Sequence, residues 1–261
     1  MTLKNITITN AKSYNGGAIE NNGTLTITQS SLANNTATLF GGAILNNGRL
    51  NMTNSILTNN TARDGGAIYN RETLTITDSI LNDNQATSFG GAMENYGTLK
   101  ITDSTINNND ASTGGAISGI TGSLTITKSS LANNTADKDG GAIYNHATLS
   151  IKESTLANNT ANNGGGAIIN KIYNYFSVAS TNFTNNHAKE GGAIRSPGYA
   201  NLTGNIFAKN TAENGETIDL LEESIGRFNA DVYESTDILF KNLTLSIKMV
   251  RHYLIKVKMW C

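Results

Sequence analysis

Leu25-Thr26-Ile27-Thr28-Gln29-Ser30-Ser31-Leu32-Ala33-Asn34-Asn35-Thr36-Ala37, followed shortly by Gly41-Gly42-Ala43-Ile44, is the stretch that decides the fold. Its apolar residues alternate with polar ones, which is the period of a strand and not of a helix. The pattern then recurs. Gly-Gly-Ala followed by Ile or Met begins at Gly16, Gly41, Gly65, Gly90, Gly114, Gly140, Gly165 and Gly191, and a worn copy, Gly215-Glu216-Thr217-Ile218, comes next. Successive starts are 25, 24, 25, 24, 26, 25, 26 and 24 residues apart. A fixed period of this kind marks a repeat architecture and is read before any local motif.

Each repeat offers about three short strands separated by Gly and Asn turns. Inward pairs recur as Leu25/Ile27, Leu50/Met52, Leu74/Ile76, Leu99/Ile101, Leu124/Ile126, Leu149/Ile151, Phe176/Val178 and Ala200/Leu202, with a second apolar knob at Leu32, Leu57, Leu81, Ile106, Leu131, Leu156, Phe183 and Phe207. Some 25 residues cannot close a core alone, but stacked copies can, each strand pairing with its counterpart one period along. The expected fold is all-β: a right-handed, single-stranded parallel β-helix of about nine coils, a rod roughly 40 Å long at the usual ~4.8 Å strand spacing. In-register stacking turns identical positions into ladders. Asn21, Asn46, Asn70, Asn95, Asn145 and Asn170 occupy one corner, with Gly119 and Ser196 as exceptions; Asn35, Asn60, Asn84, Asn109, Asn134, Asn159, Asn186 and Asn210 occupy another without a break. Asn tolerates left-handed backbone, and its amide can bond the next Asn up a stack. The paired glycines read as structural.

These residues carry a likeness. Gly-Gly-Ala-Ile combined with an apolar-x-x-Asn motif resembles the repeats of chlamydial polymorphic outer-membrane proteins. The fuller Leu-Thr-Ile-Thr-x-Ser-x-Leu-x-Asn-Asn-Thr-Ala form is similar to adhesin-like β-helix proteins of bacteria and methanogenic archaea. The strict Phe-x-x-Asn form stands at Phe183-Thr184-Asn185-Asn186 and Phe207-Ala208-Lys209-Asn210; elsewhere Leu or Ile replaces Phe. The likeness covers residues 1 to about 218. It implies a pectate-lyase-like solenoid in a cell-surface or secreted setting, and a non-catalytic adhesin whose partners are a host or neighbour-cell surface or a glycan. It further implies a parent protein anchored to membrane or wall through segments outside this chain.

Composition sets other bounds. The net charge of −1 steers the chain toward no nucleic acid. From Lys241 onward, however, there are five Lys or Arg and no acid. Residues 219–261 therefore read as a cap or non-repeat tail after a repeat domain of 1–218, since Lys blunts an open sheet edge. The first residues align inside a coil, Met1-Thr2-Leu3-Lys4 upon Leu25-Thr26-Ile27-Thr28, with no basic-then-apolar leader before them. The expectation is a piece of a longer surface protein, whose bare first edge invites end-to-end association. One Cys, Cys261, excludes an internal disulfide.

Chemistry is sparse. His146, His187 and His252 form no metal-spaced cluster, and no HExxH, P-loop or GxSxG is present, so no cofactor is expected. One ladder, Gln29, Asn54, Asp78, Asp103, Lys128 and Glu153, places Asp78 and Asp103 about one strand spacing apart, ~5 Å. Such a pair could hold Ca²⁺ or serve as acid and base in a polysaccharide lyase or hydrolase. The plainer reading is that Asp and Asn favour turns and that Lys128 pairs with Asp103 and Glu153. The outward Thr26/Thr28, Thr75/Thr77 and Thr125/Thr127 suggest an ice-binding face, but Asn51, Lys100, Ser150 and Lys152 interrupt it. Asn-x-Thr recurs from Asn5 to Asn242, a glycan-acceptor pattern that the turn ladder explains equally well.

Overall fold

The computed structural model describes residues 1–171, 175–197, 200–214 and 217–220, and beyond them the strands Gly226–Asn229, Val232–Glu234, Asp237–Lys241, Ser246–Lys248 and Lys256–Trp260. His252, Cys261, Asn242 and the worn Gly215-Glu216 pair lie outside the described residues.

Every described strand pairs in parallel with its counterpart one coil away, and the chain forms a parallel β-solenoid. Four sheets run along it, of 11, 10, 9 and 11 strands. A typical coil contributes Thr24–Thr28 to the first, Ser31–Ala33 to the second, Thr36–Phe40 to the third and Ile44–Asn46 to the fourth. The fourth column adds to the three that the pattern suggests. It arises because Gly41-Gly42 bends the chain sharply enough for the next three residues to pair on their own. Register is strict: Leu74 faces Leu50 and Leu99, and Leu131 faces Ile106 and Leu156. Past Leu220, the tail strands pair in parallel with the first, second and fourth sheets, as in Leu202 with Phe228 and Ile218 with Ile238.

The core is a column of apolar side chains from three walls. Leu25, Ile27, Leu32, Ala43 and Ile44 and their equivalents form one buried cluster from end to end. Size is conserved by exchange between walls. Where Phe176, Phe183 and Phe207 enlarge the core, Ala200 stands where a Leu is usual, and Phe183 and Phe207 stack with centroids 4.8 Å apart.

Both members of the glycine pair are needed, for different reasons. Gly41 has φ +63°, a conformation that side chains resist, and Gly42 lies so close to the next coil that a Cβ would meet the carbonyl oxygen of Gly66. The pairs stack in one column, Gly42 N–H donating to Gly65 O at 3.1 Å and Gly66 N–H to Gly90 O at 3.0 Å.

The Asn-Asn doublets also divide their work. The first residue, such as Asn34 (φ 56°) or Asn59 (φ 53°), takes the left-handed turn, and Asp83 and Lys209 can replace it. The second is the ladder. Asn35 is fully buried and donates from Nδ2 to Asn60 Oδ1 at 3.1 Å, and the chain runs unbroken to Asn186 and Asn210 at 2.8 Å. The other corner behaves alike from Asn21 to Asn95, is interrupted at Gly119, and resumes with Asn145 donating to Asn170 at 2.7 Å. A third ladder had no place in the sequence reading. Ser30, Ser55, Ser79, Ser104, Ser129 and Ser154 are buried; Ser30 Oγ accepts from Ile6 N–H at 3.3 Å, and each later Oγ accepts from the backbone N–H of the Ser before it, as Ser79 Oγ does from Ser55 N–H at 3.2 Å. Polar groups of all three corners are thus satisfied along the axis.

The spacing of 24 or 25 has a local origin. Thr61 to Gly65 takes four steps and Gln85 to Gly90 takes five, so register shifts between Ala62 and Asp64. Bulges of this kind re-aim side chains at the end of the third sheet, just before the glycine corner.

Candidate functional site

In the fourth sheet, Ile68 enters the core and Asn70 the ladder, so Tyr69 between them faces the other way. The same outward column reads Glu20, Leu45, Tyr69, Glu94, Ser118, Tyr144, Ile169, Arg195 and Asp219. It is far more varied than the core and ladder columns on either side of it. Two neighbours cover it. One is the residue before each glycine pair, at the bulge: Asn15, Phe40, Asp64, Phe89, Thr113, Asp139, Gly164 and Glu190. The other is a lip just after the ladder Asn: Asn22, Asn47, Arg71, Tyr96, Ile120, His146 and Lys171. The lip residues stack one coil apart, Arg71 N–H donating to Asn46 O and Tyr96 N–H to Asn70 O.

These three columns gather most of the side-chain chemistry. Phe40 packs on Tyr69 with ring centroids 4.5 Å apart, and Tyr69 on Tyr96 at 5.5 Å. The Arg63 guanidinium lies 5.2 Å from the Phe40 centroid, and that of Arg71 lies 5.4 Å from both Phe40 and Tyr69. Asp64 underneath holds Arg63, accepting from its Nε at 2.8 Å. Arg71 Nη1 donates to Asn47 Oδ1 at 3.2 Å, and Asn47 Nδ2 to Asn22 Oδ1 at 2.8 Å. Further along, His146 Nε2 lies 2.8 Å from the Tyr144 hydroxyl, Lys171 pairs with Asp139 at 3.1 Å, and Arg195 bridges Glu190 and Asp219.

Glu94 is the most perturbed group here. It is 2% exposed, with Oε2 unpartnered. Burial first, and then the nearby Asp64 carboxylate, raise its pKa from 4.5 to about 8, against the opposing pull of Tyr96 and Arg63. The folded protein therefore keeps this proton where the unfolded chain releases it. The stability tied to it is complete below the ordinary carboxyl range and is lost as pH rises to about 8. Glu94→Gln is expected to melt with wild type near pH 4 and to exceed it at pH 9, by roughly 2–4 kcal/mol. Parallel melting curves across that range check this; a constant offset would exclude the ionisation as its source.

The sequence candidates sit elsewhere. Asp78 and Asp103 are exposed at the corner between the first and second sheets, with φ 46° and 48°, and Asp78 N–H donates to Thr102 O at 3.2 Å. Their column also holds Asn5, Gln29, Asn54, Lys128, Glu153, Ser180 and Gly204, all at positive φ. It takes whichever residue tolerates a left-handed turn. The expected bridge from Lys128 is replaced: Glu153 pairs with its neighbour Lys152 at 2.9 Å, which lowers its pKa. Among the described residues no three of His, Cys, Asp and Glu converge on a common point, and no helix is long and apolar enough to cross a membrane. His187 stands apart on the third sheet beside Thr211.

The aromatic and charged strip was missed by the sequence reading. Its signal was present: Phe40, Tyr69, Phe89, Tyr96 and Tyr144 all fall just before or just after a Gly-Gly-Ala-Ile or Gly-Gly-Ala-Met motif.

Comparison with known proteins agrees with the repeat. The Chlamydia polymorphic membrane protein repeat matches residues 54–71, 128–146 and 180–197. Each match runs from a left-handed corner residue, Asn54, Lys128 or Ser180, through the glycine pair to the fourth sheet. No curated protein and no solved structure matches the chain. The chain is a parallel β-helix repeat protein, similar in three of its coils to the Chlamydia polymorphic membrane proteins.

Proposed function

We propose that this chain is a non-catalytic, adhesin-like surface solenoid that holds another surface, a host cell, a neighbouring cell or a glycan coat, against its long walls. The observation behind the reading is where the repeat matches fall. They lie on a rod whose interior polar groups are bonded along the axis, so the conserved chemistry maintains the scaffold and the outward columns are free to vary. A rod of stacked coils is stiff and long-faced, which suits contact over an extended area. The surface setting rests on the repeat family. The rival reading is a polysaccharide lyase or hydrolase centred on Asp78 and Asp103. It has less support, because their column is occupied equally by Asn, Gln, Lys, Glu and Ser.

Beads coated with the purified chain should adhere to epithelial or bacterial cells well above beads coated with an inert protein. The same chain should release no new ends from pectin, alginate or chondroitin, with or without Ca²⁺. Turnover that disappears in Asp78→Asn or Asp103→Asn would replace the adhesin with the enzyme. Beads that adhere to no cell type would remove the adhesin reading.

A further inference from the structure

We propose that the lip beside the fourth sheet is a glycan-binding strip, and that its ligand is a carboxylate-bearing oligosaccharide laid along the solenoid axis with its acid on Arg71. This rests on the adhesin reading and gives it a site and a ligand class.

Three observations carry it. First, Asn22, Asn47, Arg71 and Tyr96 follow one another at one residue per coil, so the row repeats every ~4.8 Å along a straight line. A linear chain of pyranose rings is a ligand with a comparable short, regular repeat. Second, the residue types are those that sugars need. Side-chain amides of Asn22 and Asn47 meet hydroxyl groups, and Tyr96, at 37% exposed, offers a ring against which the apolar face of a pyranose can lie. Third, the row is preorganised and its cation is unspent. Arg71 is exposed, rests on the Phe40 and Tyr69 rings, and is held by Asn47. Among the described residues it has no carboxylate within ion-pair distance, unlike Arg63 with Asp64 and Arg195 with Glu190 and Asp219. A guanidinium fixed by stacking keeps a fork of N–H donors for a planar anion and loses little entropy on binding it.

The charges also orient the ligand. Glu20 lies at the other end of the row, where its Oε1 accepts from Asn47 Nδ2 at 3.5 Å. A carboxylate is repelled there and attracted one coil further on. Hydroxyl-bearing sugars therefore belong over Asn22 and Asn47, and the acid over Arg71.

The test uses the full chain, a hexasaccharide of neutral sugars carrying a single uronic acid, and the same hexasaccharide with that carboxyl reduced to an alcohol. Titration calorimetry should show the acidic sugar binding at least ten-fold more tightly than the neutral one. Arg71→Gln should erase the difference, Arg71→Lys should restore only part of it, and Tyr96→Ala should weaken both sugars. Lys100→Gln, an exposed cation on the first sheet, should change nothing. Equal binding of the two sugars, or a preference that survives Arg71→Gln in a variant that melts like wild type, would overturn the proposal. Bead adhesion measured in parallel separates the two readings. Adhesion that persists without any sugar binding removes the glycan strip and leaves the adhesin. Sugar binding without adhesion leaves the strip and removes the adhesin.

Discussion

Gly66→Ala is expected to unfold the solenoid or to cost more than about 4 kcal/mol, a loss reserved for overpacking that cannot relax. The added Cβ would run into the carbonyl oxygen of Gly91 and come within 2.6 Å of Gln85 O and 2.7 Å of Gln85 C. All three atoms are backbone, and the strands that own them are tied to the next coil. No rotamer change can relieve the clash, and moving one coil moves its neighbours. Gly23→Ala is the control, because nothing lies within 4 Å of its added Cβ. It should melt within about 0.5 kcal/mol of wild type, as surface changes do. Urea titration followed by the strand signal in circular dichroism reads both. A wild-type midpoint for Gly66→Ala would mean that the glycine column is looser than described.

That column explains why so much of the fold was legible beforehand. A solenoid stacks equivalent positions, so each demand on a residue type is written in the chain once per coil. Leu25/Ile27, the knob at Leu32 and the Asn at 35 can be read by lining up the copies, and the structure buries all of them. The fourth strand column was less visible. Ile44–Asn46 is only three residues long and too short to show an alternation of its own. The division of labour in Asn34-Asn35 was hidden for a different reason: one residue type meets both a left-handed turn and a buried ladder. Only the replacements Asp83 and Lys209 separate the two demands, since they occur at the turn and never in the ladder.

The candidate site was illegible for the converse reason. The proposed site lies in positions that do not repeat, and alignment of the copies discards them as noise. Tyr69, Glu94 and Tyr144 occupy the same column as Leu45 and Ser118. Asp78 and Asp103 drew attention because two acids fell in one column, yet that column follows backbone conformation. In a repeat protein a variable outward position flanked by repeating core residues is a better place to look for function than a column set by backbone conformation.

The Asn ladder offers the second large effect. Asn109 is 1% exposed and makes contacts in both directions along the axis. Its Oδ1 accepts from Asn84 N–H at 3.0 Å and Asn84 Nδ2 at 3.1 Å, and its Nδ2 donates to Asn134 Oδ1, Leu81 O and Asn107 O, each at 3.0 Å. Asn109→Ala leaves the Asn84 backbone N–H without its acceptor in a dry corner and opens a small void. The expected loss is about 3–5 kcal/mol, from one orphaned donor and several bonds worth about 1 kcal/mol each. Asn109→Asp is the sharper test because it keeps the shape. A carboxylate can still accept from Asn84, but it turns an acceptor toward three other oxygens and carries a buried charge. At pH 7 it should therefore be less stable than the alanine variant, and it should recover part of the loss in acid, where a protonated carboxyl can donate once. Asn108→Gly, one residue earlier at φ 56°, changes only the turn and should be neutral or slightly stabilising. If Asn108→Gly proved the costly change and both Asn109 variants melted like wild type, the corner would be held by its turn geometry, and the ladder would be a consequence of stacking with no share in its stability.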